Sequence, residues 1–217
     1  MEKRVTLCIY CGLREGSTRD HVPPECMFLS PMPNNIQMIT VPCCKECRTG
    51  QQGDDAVARN FLISSAAAES RQASVDQIEK RRNRSLERDR TLLKQMTSAI
   101  TSAEVFLEGK VSLGTAPAFN LDQPPMNRFF DRVARALLHE ETASGYVTCT
   151  IKWKPVIDFR FNDGFSKYAT QVRSVGNIFS YAGHKKRNSD VWYWFLNFFG
   201  QDFFVIQRVQ NEQEKGG

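Results

Sequence analysis

The chain has 217 residues, with Lys+Arg 29 against Asp+Glu 24, a formal net charge of +5 and a pI near 8.9. Its 41% hydrophobic content can fill a core. No apolar run approaches the roughly 18 residues a membrane span needs, and the N-terminus lacks a secretory signal, so a cytoplasmic protein with no membrane partner is expected.

Six of the seven cysteines stand between residues 8 and 47. In a reducing compartment, closely spaced pairs hold metal more often than disulfides. Cys8-Ile-Tyr-Cys11 and Cys44-Lys-Glu-Cys47 have the spacing with which two tight knuckles complete a four-sulfur zinc shell. Cys43 competes with Cys44 as a ligand, and the knuckle spacing favours Cys44. Cys26 and Cys149 read as buried thiols.

Between the knuckles lies Arg19-Asp20-His21-Val22-Pro23-Pro24, a candidate strand ended by the twin prolines. Asp54 and Asp55 precede Ala56, Val57, Phe61 and Leu62, an acidic start to an amphipathic helix over about 55–69. Ser74 with Gln77 reads as a capping box opening a long exposed helix over about 75–107. Within it Lys80, Arg81, Arg82, Arg84, Arg88, Arg90 and Lys94 alternate with Glu79, Glu87 and Asp89. That run is either a solvated helix laced with i,i+4 pairs or a surface that follows phosphates, in which Lys80, Arg81, Arg82 and Arg84 would bind nucleic acid.

Pro124 and Pro125 open a third helix with Phe129, Phe130, Val133, Leu137 and Leu138 on one face, closed at Gly145. His139 and Glu140 at its end read as surface residues. From Tyr146 on, β-branched and aromatic residues dominate, and 195–199 and 203–206 read as strands around a turn at Gly200-Gln201-Asp202. His184-Lys185-Lys186-Arg187 reads as a basic turn between strands, and the strand aromatics as core.

The order Cys-x-x-Cys, Asp-His-Val-Pro-Pro, Cys-x-x-Cys over roughly residues 6–65 resembles the zinc-ribbon branch of the HNH endonucleases, a ββα-metal (His-Me finger) fold. The pattern from Phe129 on is similar to the α+β extension of some bacterial HNH proteins. The resemblance implies an α+β protein: a zinc-clamped HNH-like module at 1–70, a charged helical connector at 71–109, and a helix plus antiparallel sheet at 110–217. It implies a metal-dependent endonuclease hydrolysing phosphodiester bonds in nucleic acid, DNA ahead of RNA. His21 would take a proton from the attacking water, Asp20 would ligate a catalytic Mg²⁺ or Mn²⁺, and the zinc would be structural.

The family's asparagine after the last cysteine, a second metal ligand, is replaced by Arg48, which has no lone pair to offer. Asp54 or Asp55 could supply a carboxylate in its place. For the asparagine that braces the loop, Asn34, Asn35 and Gln37 compete, with Asn35 preferred. The alternative is a catalytically degenerate zinc ribbon that binds nucleic acid or a protein partner. A homo-oligomer stays open.

Overall fold

The computed structural model describes residues 6–28, 36–64, 80, 83–107, 111–156 and 171–210. Among these it is a mixed α+β protein with antiparallel sheets. Asn34, Asn35, Arg81 and Arg82 lie outside the described residues, as do 65–69 of the first expected helix and the Ser74–Gln77 capping box of the second.

Strands β1 (Thr18–Val22) and β2 (Ile39–Cys43) pair antiparallel in unbroken register, with Asp20 opposite Val41 and His21 opposite Thr40. Alternation along a strand sends Asp20 and Val22 inward and His21 outward. Helix α1 (Lys45–Gly50) starts on Cys44, and α2 (Gln52–Ile63) follows at once. Val57, Ala58, Phe61, Leu62 and Ile63 of α2 are buried.

The expected helix over 75–107 is corrected. Residues 83–88 are helical, but Asp89 is extended and accepts hydrogen bonds from the backbone N–H groups of Thr91 and Leu92, capping a separate helix α3 (Arg90–Ser98). Ile100 to Leu107 then form strand β3, paired with β4 (Val111–Phe119) in a two-stranded sheet. Ile100, Val105 and Phe106 suited either period, and the chain takes the pleated one because β4 supplies a partner.

Helix α4 (Pro124–Thr142) opens on its two prolines and ends at Thr142, short of the expected close at Gly145, with Ala143 in the left-handed conformation at φ 51°. Its buried face carries Met126, Phe129, Phe130, Val133, Ala136 and Leu137, with one charged residue, Arg132, inside the apolar stripe. The face lies on a five-stranded sheet of order β5-β9-β8-β7-β6: β5 (Cys149–Pro155), β6 (Arg173–Val175), β7 (Phe179–Lys185), β8 (Val191–Phe198) and β9 (Gln201–Val209). The expected strand pair around Gly200 is β8 and β9, and the basic residues from His184 end β7.

Phe130 stacks on Trp153 at 4.2 Å and meets Phe203 at 4.9 Å. Buried Trp194 donates to Gln207 Oε1 at 2.9 Å, which satisfies both polar groups. A Cβ at Gly183 would stand 2.4 Å from the Trp194 ring, so the indole needs glycine beside it. The strand aromatics thus divide. Trp194, Phe198 and Phe203 are core, whereas Tyr193, Phe195 and Phe204 are half-buried on the other face of the sheet. One continuous apolar core joins Val22, Val41 and Phe61 of the N-terminal part to α4 and the sheet.

Candidate functional site

The first knuckle turns at Gly12, φ 65°, where a Cβ would lie 2.5 Å from the Tyr146 ring. The second is built by the start of α1, where Cys44 caps the helix and its sulfur accepts from the Cys47 backbone N–H at 3.4 Å. Cys8, Cys11, Cys44 and Cys47 therefore converge, each offering a sulfur within 4.8 Å of the others. A tetrahedral thiolate centre with metal–sulfur bonds of about 2.3 Å sets sulfurs about 3.8 Å apart, and Cys11 and Cys44 stand at 3.9 Å. The four are close enough to hold one metal ion.

Geometry separates Cys43 from this set. Its thiol points at the Cys44 carbonyl oxygen, 3.2 Å away, and burial, then the neighbouring Cys8 and Asp20, push it well above the ordinary thiol range. Cys11 goes the other way. Although burial opposes ionisation, backbone hydrogen bonds at Leu13 and Arg14 and the thiols of Cys8 and Cys47 bring it to about 7. Ligation favours thiolates, and Cys11 is already prepared, whereas burial holds Cys43 and Cys47 alike in the thiol form.

His21 faces outward from β1 with its side chain 28% exposed, and Glu25 Oε1 lies 2.7 Å from its Nδ1. Glu25 opens the 3₁₀ turn Glu25–Met27 that follows Pro23 and Pro24. A carboxylate on Nδ1 fixes the ring and leaves Nε2 for another partner.

Asp20 faces the other way and is only 9% exposed. It accepts the Tyr10 hydroxyl at 2.7 Å and lies 3.9 Å from Nε of Arg132. Burial, then Asp20, push the Tyr10 phenol well above its usual range, so it remains a donor. Asp55 binds both terminal nitrogens of Arg132, which also donates to Gln51 Oε1 at 3.2 Å. Asp54 binds Arg128 in two-pronged fashion at 2.8 and 2.7 Å. Burial pushes the Asp55 carboxyl up against the pull of Arg132; burial likewise opposes charge on Arg132, but Asp55 and Asp20 outweigh it and hold the guanidinium charged.

The structure thus brings Asp20 and Asp55 to one buried cation, and sets Asp54 beside them on Arg128. It does not bring Asp20 together with His21, because β1 keeps regular pairing through both residues. The residues present do not fit a divalent ion shared by Asp20 and the His21 face, since Arg132 already stands at these carboxylates. The Arg84 Nε donates to the Lys80 carbonyl at 3.2 Å. Arg48 lies in the last turn of α1 and is exposed.

Sequence reasoning missed Tyr10, Glu25, Arg128 and Arg132. Two carried a signal: Glu25 stands four residues after His21, and Arg132 interrupts an otherwise apolar helical stripe. Among the described residues, no helix is long and apolar enough to cross a membrane. No family model, curated protein or solved structure matches the chain.

Proposed function

We propose that this protein acts on nucleic acid through a zinc-clamped HNH-type module, hydrolysing phosphodiester bonds, DNA being the first substrate to test, with His21 as the proton acceptor. The observation that carries this reading is the imidazole held by Glu25 at 2.7 Å on the outward face of β1. A general base needs a fixed ring, the acceptor nitrogen turned to the substrate side, and solvent access. Zinc at Cys8, Cys11, Cys44 and Cys47 would fix the ends of the loop that carries β1 and β2, a structural task suited to four thiolates.

In the reaction Nε2 of His21 would take the proton from water as its oxygen bonds to phosphorus, the bond from phosphorus to the leaving sugar oxygen would break, and solvent would protonate that oxygen. Glu25 would stabilise the imidazolium that forms. Mg²⁺ or Mn²⁺ ligation by Asp20 is implied by the resemblance, but the pairing of Asp20 with Tyr10 and Arg132 does not support it. Plasmid nicking and RNA cleavage by the wild type and His21→Ala, each with Mg²⁺ or Mn²⁺, test the reading. It requires cleavage that His21→Ala loses, and equal cleavage by both proteins, or none by either, counts against it.

The engagement of Asp20, Asp54 and Asp55 by arginines, together with Arg48 at the position of the family's metal-binding asparagine, favours a second reading. In it the module is a non-cleaving scaffold that binds nucleic acid or a protein partner. Cleavage switched on by Arg48→Asn in a silent wild type would select that reading.

A further inference from the structure

Three carboxylates, Asp20 on β1 and Asp54 and Asp55 on α2, meet two arginines of α4 at the contact between the N-terminal module and the C-terminal half. Arg132 is 3% exposed, so this is a buried charge cluster and not a rim of solvated pairs. Its guanidinium spans from strand to helix, with Nη1 3.0 Å from Asp55 Oδ2 and 3.2 Å from Gln51 Oε1, and Nε turned to Asp20 at 3.9 Å. That Nε makes no hydrogen bond among the described residues. Tyr10 takes the Asp20 oxygen that faces Arg132.

A cation that bridged β1 and α2 through Asp20 and Asp55 would have to stand where this guanidinium stands. Hard-oxygen ligands could hold Mg²⁺ or Mn²⁺ only once their charge was available, and a divalent ion beside a buried, fixed arginine meets like-charge repulsion in a low dielectric. A carboxylate stripped of its counter-ion in such a place is strongly disfavoured, so the cluster needs one cation at all times.

We infer that Arg132 is the resident cation of the Asp20–Asp55 cluster, supplied by the C-terminal half in place of a divalent ion. The inference goes beyond the proposed function and does not depend on whether His21 cleaves. α4 then completes the charge balance of the N-terminal module, and Asp20 serves to join the two halves. Arg128 does the same for Asp54 nearer the surface.

The test is Mn²⁺ uptake, followed by the electron paramagnetic resonance signal of the free ion, on full-length zinc-loaded protein. Wild type and Asp20→Asn are expected to give superimposable titrations. Arg132→Met, which keeps much of the side-chain volume and removes the charge, is expected to take up one Mn²⁺ at least tenfold more tightly than wild type, and Asp20→Asn in that background to abolish the gain. One equivalent of Mn²⁺ bound by wild type and lost in Asp20→Asn overturns the inference, as does a folded Arg132→Met that gains nothing. If Arg132→Met does not fold, the wild-type and Asp20→Asn titrations decide alone. The readout is binding and not nicking, so failure here is told apart from failure of the nuclease reading.

Discussion

Glu25 holds its Oε1 2.7 Å from Nδ1 of His21, across the proline pair that ends β1. The pair lies at the surface, so Glu25 contributes orientation more than fold stability. Glu25→Gln is expected to leave the melting temperature within a few degrees of wild type. Cleavage should fall to a level between that of wild type and His21→Ala, the latter losing about 10²–10⁴-fold. Rates for the three proteins at one pH check this, and a Glu25→Gln rate equal to wild type would remove Glu25 from the site.

Removal of the metal should act on fold before function. Cys44→Ser is expected to lose the bound ion, and Cys43→Ser to keep one zinc per chain, because the cluster is made by Cys8, Cys11, Cys44 and Cys47 while the Cys43 thiol donates to the Cys44 carbonyl. Zinc content by atomic absorption separates them.

Acid should release the ion. Cys11 titrates near 7, while Cys47 is pushed well above the ordinary thiol range by burial first and by its Cys44 neighbour second. Bound sulfurs are thiolates, so zinc uptake expels protons and affinity rises with pH. A chelator-competition series from pH 8 to pH 6 is expected to show affinity falling as acid is added, and a flat profile would count against thiolate ligation.

Gly12→Ala meets two obstacles at once: a left-handed backbone and a Cβ placed 2.5 Å from the Tyr146 ring. The expected loss is about 1–3 kcal/mol from strain and overpacking, read by denaturant unfolding of the zinc-loaded protein. Tyr146→Ala in that background should recover part of it, because it removes the clash and leaves the backbone strain.

Asp55→Ala leaves the buried guanidinium of Arg132 without its main partner and is expected to cost about 3–5 kcal/mol. Asp54→Ala frees Arg128, whose side chain is 61% exposed, and should cost about 1 kcal/mol or less. The ordering of the two losses by denaturant midpoint checks the burial argument.

The sequence by itself determined what depends on local spacing. Two Cys-x-x-Cys pairs specify a four-sulfur cluster because the knuckle is a short-range shape. The apolar stripe from Phe129 to Leu138 specifies a buried helix, and the aromatic runs around Gly200 specify paired strands. Period alone could not decide whether Ile100 to Leu107 continued a helix, since the deciding partner, β4, lies further along the chain. Nor could it place Asp20. A carboxylate beside a histidine reads as one site along the chain, but regular pairing of β1 with β2 turns the two side chains to opposite faces, and the inward one meets an arginine more than a hundred positions away. Which charges neutralise which is set by the packing of α4 on α2 and β2, and only the tertiary structure carries that.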